Sequence, residues 1–209
     1  DILDGNGGSA GVFGYKNTFM DTLVNIEYAP SVGSGDAGDG TVSHVASVVD
    51  GSSLNFALTN SSLMDGLTVG VGYGETSYDM AAGNADQIDT TSTTGFFTYS
   101  VGAVTVGYQQ SYTSGSASTA NTTIGANAVE MMGIAFNVND AFSISYQDYD
   151  NEYLKRGSQG DVTQNIDGIQ AAYTMGGATL RISDVSVTNG GGTTGNSEDR
   201  TEVSLLMAF

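Results

Sequence analysis

Apolar and polar residues alternate with a period of two through most of this chain, and four stretches share one form of the pattern. They are Val24-Asn25-Ile26-Glu27-Tyr28, Val69-Gly70-Val71-Gly72-Tyr73, Val104-Thr105-Val106-Gly107-Tyr108 and Phe142-Ser143-Ile144-Ser145-Tyr146. Successive side chains of a strand point to opposite faces, so each stretch has one greasy face and one wet face. A soluble β-sandwich uses such strands too. The tyrosine that closes each apolar series is harder to place in a dry core. It suits a membrane boundary, where the ring meets lipid and the hydroxyl meets water.

The same alternation, bounded by turn residues, gives about eleven strands and no amphipathic helix. They fall near 10–16, 21–30, 53–62, 67–77, 93–100, 103–112, 129–138, 141–149, 165–175, 178–187 and 201–209. Short connections at Asn17-Thr18-Phe19-Met20, Met64-Asp65-Gly66, Val101-Gly102, Asn139-Asp140 and Gly176-Gly177 alternate with long polar ones around 31–52, 78–92, 113–128, 150–164 and 188–200. This asymmetry predicts an all-β chain forming an antiparallel, up-and-down transmembrane β-barrel, with short turns on one side and long loops on the other. Greek-key crossovers in a sandwich have no reason to produce it.

Strand direction then places the aromatics. The four repeats follow short turns, so Tyr28, Tyr73, Tyr108 and Tyr146 are expected as an outer girdle. Returning strands carry Phe97 and Tyr99, Phe136, Tyr173 and Phe209 near their short-turn ends, the inner girdle. The outward bands hold no Lys or Arg, where a charge at the midplane would cost ~2–4 kcal/mol. Asp184 stands where the tenth strand is expected to show its tyrosine. The inward positions, among them Asn25, Glu27, Thr68, Thr105, Gln109, Ser143, Ser145, Thr179 and Arg181, are polar or small, as a water-filled interior requires.

Composition narrows the chemistry. The chain has 209 residues, 23 Asp and Glu against 5 Lys and Arg, and a formal charge of -18, which repels nucleic acid and attracts cations. It has no Cys, which removes disulfides, thiolate metal sites and cysteine catalysis. No run reaches the ~18–20 apolar residues of a spanning helix. His44 is the only histidine and lies in a polar stretch without a nucleophile elbow, so no catalytic residue is assigned and an enzyme is not expected.

The chain ends Val203-Ser204-Leu205-Leu206-Met207-Ala208-Phe209, with apolar residues at alternate positions and a terminal Phe. This resembles the last strand of bacterial outer-membrane barrels, which the assembly machinery reads. Together with Asp65-Gly66-Leu67-Thr68-Val69-Gly70-Val71-Gly72-Tyr73, Val104-Thr105-Val106-Gly107-Tyr108-Gln109 and Tyr173-Thr174-Met175-Gly176-Gly177-Ala178-Thr179-Leu180, it resembles the general porins of Gram-negative bacteria, closest to those of marine alphaproteobacteria.

The resemblance implies a single porin domain over 1–209 in the outer membrane, a homotrimer in contact with lipid and lipopolysaccharide. It implies passive diffusion of small hydrophilic solutes and ions without a cofactor. Sixteen strands close such a barrel; eleven would leave it open, so the chain is expected to begin near the sixth strand. Residues 1–9 then end the constriction loop, and 10–209 supply barrel strands through the last. Asp1 and Asp4 would form the acidic side of the constriction, and Glu27 is a further pore candidate. The basic side would have only Lys16, Arg181 and, near the rim, Arg200, so a cation-preferring pore is expected.

Two rivals follow from the residues. Asp148, Asp150 and Glu152 present hard oxygens at alternate positions that would suit calcium, although the spacing is not that of an EF-hand loop and a solvated acidic loop is the better explanation. An extracellular, acidic, β-rich adhesion or surface-layer protein binding calcium is therefore the alternative. A barrel-shaped outer-membrane enzyme is the second, with His44 its only histidine.

Overall fold

The computed structural model describes residues 12–30, 48–80, 89–114, 124–155 and 160–207, and they form one antiparallel sheet of eleven strands in sequence order. The strands are β1 (Phe13–Phe19), β2 (Thr22–Ala29), β3 (Val48–Asn60), β4 (Leu67–Met80), β5 (Thr90–Val101), β6 (Val104–Ser114), β7 (Ile124–Asn137), β8 (Phe142–Lys155), β9 (Val162–Met175), β10 (Ala178–Thr188) and β11 (Glu198–Met207). Each pairs only with its neighbours in sequence, and β1 and β11 are the edges. Because the count is odd, those two edges run in the same direction.

Every expected strand is present, but β1 lies three residues later than its alternation suggests. Its turn is Met20-Asp21 rather than Asn17–Met20, and both turn residues have positive φ, 46° and 60°. That is the geometry of a two-residue hairpin turn whose twist matches the strands. Asn, Asp and Gly usually fill it; Asp21 is one of these and Met20 is not. Asn17 instead sits in the strand, its side-chain oxygen accepting from the Thr18 amide.

β7 and β8 extend well past their expected ends, to Ile124 and Lys155. Polar residues such as Glu152 read as loop because nothing apolar alternates with them. They remain in the strand because Ala128 and Thr163 flank Glu152 on either side and complete the backbone ladder.

Side chains close two of the short turns. The Asn60 oxygen accepts from the amides of Ser62 and Leu63, and the Asn139 oxygen from those of Ala141 and Phe142. Gly66 has φ +77°, and a Cβ there would run into the carbonyl oxygen of Ser100, so only glycine fits.

The sheet has no packed core of the usual kind. Ala29, at 6% exposure, is the one buried apolar side chain among the described residues.

Candidate functional site

Residues directly opposite one another in an antiparallel ladder share a face. Followed from partner to partner, one face carries Tyr28 and Leu54, then Val71, Phe97, Tyr108, Ile134, Ile144, Ile169, Ile182 and Val203. The alternation holds through every strand except at two irregularities, between Asp50 and Ser53 of β3 and between Ile124 and Ala126 of β7, both at the long-connection end. Among the described strand residues, every large apolar side chain left exposed lies on this face, with Leu206 the one exception. Phe13 is 70% exposed, Val203 64% and Ile169 53%.

The tyrosines of the expected outer girdle are all on this face, in a row that slopes. Tyr28 faces Leu54, which faces Glu75, two residues beyond Tyr73. From Tyr73 the ladder passes Thr93 to Tyr112, four residues beyond Tyr108. From Tyr108 it passes Met132 to Asp148, two residues beyond Tyr146. The row thus falls eight residues across six strand spacings. At ~3.3 Å per residue and ~4.8 Å per strand, a line through the tyrosines crosses the ladder direction at ~42°.

Tyr99, Phe136 and Tyr173 form a second row on the same face, at the short-turn end. Tyr99 leads through Val106 to Ile134, two residues short of Phe136, and Phe136 leads through Ile144 to Ala171, two short of Tyr173. The slope has the same sense, about 35° by the same spacings. Leu67, Val104 and Phe142, level with this second row, stand four to six residues from Tyr73, Tyr108 and Tyr146. The two rows are therefore ~13–20 Å apart along the strands. Phe209 lies outside the described residues.

Carboxylates line this face on the far side of the first row. Glu75 accepts from the Tyr73 hydroxyl at 2.6 Å, Asp167 from that of Tyr146 at 2.7 Å, and Glu130 from the Gln110 amide at 3.4 Å. The slope also accounts for Asp184. It faces Ile169, the partner of Tyr146, but on β10 the sloping row has already dropped to Ile182. Asp184 belongs with the acids one step farther out, accepting from the Thr201 hydroxyl at 2.6 Å.

Asp148, Asp150 and Glu152 share this face at alternate positions of β8, in a strand rather than the expected loop. Alternate residues of a strand stand ~7 Å apart. Among the described residues no three His, Asp or Glu side chains gather closely enough to hold a metal ion.

The opposite face is mostly polar or small, with an apolar patch of Val129, Met131, Tyr149, Ile166, Val185 and Val187. Hydroxyls pair across it: Thr94 with Ser111 at 2.7 Å, Ser100 with Thr105 at 2.9 Å, and Thr174 with Thr179 at 2.9 Å. Gln109 donates to Ser111 at 3.0 Å. All the described basic residues are here, namely Lys16, Lys155, Arg181 and Arg200, with Glu27, Glu198 and Glu202. Arg200 pairs with Glu202 at 2.9 Å.

Lys16 and Glu27 are diagonal neighbours at the β1–β2 end, with the buried Oε2 of Glu27 left without a hydrogen-bond partner. Arg181 is on β10, eight strands away, so these three expected pore residues share a face without forming one cluster. Asp1, Asp4 and His44 lie outside the described residues.

Two features of this face escape the sequence reading. Phe96 lays its ring over Gly70, where a Cβ would strike it. Tyr153, Lys155 and Gln164 hold the β10–β11 connection. Phe96 and Tyr153 are large residues at inward positions, but Met131, Tyr149 and Ile166 are as well, so size alone does not single them out.

No helix among the described residues is long and apolar enough to cross a membrane. No protein-family model matches the chain, and no curated protein matches its sequence.

Proposed function

We propose that the sheet is the larger part of a transmembrane β-barrel of the porin type, a channel in the bacterial outer membrane for passive diffusion of small hydrophilic solutes. The observation behind this reading is the continuous apolar face over eleven strands, exposed and with no packed core beneath it. In water such a surface is unfavourable at about 25 cal/mol per Å². Against hydrocarbon it costs nothing.

The sloping aromatic rows support the same reading. A membrane plane drawn through them is crossed by strands tilted ~35–42°, the range of outer-membrane barrels. Their narrow separation suits a thin bilayer, and the bacterial outer membrane is thinner than average. The wet face then lines the channel.

An edge cannot remain unpaired in lipid. Since β1 and β11 run the same way, antiparallel closure takes an odd number of further strands; sixteen in all, as the porin resemblance implies, meets that condition. The same resemblance implies a homotrimer.

Charge sets a mild preference. The described wall carries four basic and three acidic residues, whereas the acids of the outer face lie beyond the tyrosine row on the long-connection side. A ring of carboxylates around the mouth concentrates cations before they enter. The channel is therefore weakly cation-preferring, by its vestibule more than by its wall.

Recordings across planar bilayers test this. Discrete, ohmic conductance steps with a reversal potential favouring cations in a low-salt gradient are expected. Bilayers that stay silent when the folded protein is added would refute the channel.

A further inference from the structure

The connection after β10 turns back across the polar face instead of continuing away from the sheet. Asn189 enters the left-handed region (φ 55°), and Gly190–Gly192 form a single 3-10 turn. Four contacts fix it to strands that are not its own neighbours in sequence. The Asn189 amide donates to the Thr163 carbonyl at 3.0 Å, and the Gly191 N–H to the Gln164 side-chain oxygen at 2.9 Å. That same oxygen accepts from the Tyr153 hydroxyl at 3.0 Å. Lys155 donates from Nζ to the Gly192 carbonyl at 3.1 Å. Gly192 is buried on the Tyr153 ring so closely that a Cβ would stand 2.8 Å from it.

The turn also ties itself together. Gly190 N–H donates to the Asn196 carbonyl at 2.8 Å, the Asn196 amide to the Gly190 carbonyl at 3.0 Å, and Gly195 N–H to the Asn189 oxygen at 2.9 Å. So the segment reaches past β9 to β8 as a closed, cross-braced strap. Tyr153, Lys155 and Gln164 all belong to the wet face, so the strap lies on that side of the sheet.

We infer that this strap narrows the mouth of the channel, and that Tyr153, Lys155 and Gln164 are the positioning residues that hold it there. The inference rests on the channel reading. Lys155 spends its ammonium on the Gly192 carbonyl, which makes one of the few cations of the wall a fastener. Glycine at 192 is required both by φ +68° and by the tyrosine ring, so the strap and its seat match one another.

The test compares the full chain with K155M/Q164L, which removes two of the three side chains that hold the strap while keeping strand residues apolar or unbranched. Hydrogen exchange at the Gly191 and Gly192 amides is read beside single-channel conductance and the size cut-off for neutral polyethylene glycols. Faster exchange, a conductance raised roughly 1.2- to 2-fold and entry of larger polymers are expected. Faster exchange with unchanged conductance and cut-off would overturn the strap's role in the passage while leaving the channel standing. Unchanged exchange would overturn the fastening itself. Wild-type protein that opens no channels would defeat the channel reading and this inference with it. Gly192→Ala supplies a second variant, expected to move all three readouts the same way.

Discussion

The Tyr146 hydroxyl donates to Asp167, its diagonal neighbour across the β8–β9 ladder, at 2.7 Å. The ring meanwhile lies beside Ile134 and Ile169 on the apolar face. One side chain thus spans the change from greasy to acidic surface, and Tyr73 with Glu75 repeats the arrangement. A lipid–water boundary drawn there satisfies both ends of the ring.

The chain has no tryptophan, so a single one reports its own surroundings. In vesicles containing brominated lipids, Tyr146→Trp should be quenched most by bromines close to the headgroup. Phe96→Trp, on the wet face, should resist quenching at every bromine depth. Equal quenching of the two would mean that the faces are not separated by lipid.

An arginine at Ile144 should destabilise the vesicle-bound protein by ~2–4 kcal/mol, because that residue lies between the two aromatic rows. Ser145→Arg, one residue on and facing the wet side, should cost less than about 1 kcal/mol. Urea unfolding in vesicles measures both. The contrast between adjacent positions matters more than either value.

Gly66 and Gly102 both have positive φ, but only Gly66 would press a Cβ into backbone. Gly102→Ala should cost about 1–2 kcal/mol for the left-handed conformation alone. Gly66→Ala should cost clearly more, since the Ser100 carbonyl cannot move without disturbing the hydrogen bond it frames with the turn, Ser100 N–H to Gly66 carbonyl at 2.9 Å. Chemical denaturation of the refolded proteins separates the two.

If the cation preference arises at the acidic vestibule, salt should erase it. The Debye length falls from ~10 Å at 0.1 M to ~3 Å at 1 M. The cation-to-anion permeability ratio should accordingly decline towards unity over that range. A ratio that holds constant would place the selecting charges inside a narrow passage.

The narrow spacing of the aromatic rows makes a further claim about lipid. Refolding should be more complete in bilayers of short-chain (about twelve-carbon) phosphatidylcholine than in eighteen-carbon ones, because mismatch costs a fraction of a kcal/mol per Å. The gel shift of folded against unfolded protein reports the yield.

Much of this sheet is legible in the sequence because a period of two is all a strand needs to declare its faces. Tyr28, Tyr73, Tyr108 and Tyr146 can be assigned to one face by parity alone. The slope of their row cannot, since it depends on how each strand slides along the next. That is why Asp184 looked misplaced. The Met20-Asp21 turn was hidden because Met20 is not a residue that usually accepts positive φ. The strap was hidden for a different reason: Gly190–Gly192 reads as any polar loop, and its meaning comes from Tyr153 and Gln164, which fold brings beneath it.

The face assignment itself is open to one direct measurement. The chain lacks cysteine, so spin labels placed singly at 104, 105, 106, 107 and 108 of β6 report each site cleanly in vesicles. Collisions with dissolved oxygen should dominate at 104, 106 and 108, and collisions with a water-soluble nickel complex at 105 and 107. A period of two with that phase places the apolar face in lipid and the polar face in water. Uniform access to the nickel complex, or the opposite phase, would contradict the transmembrane channel.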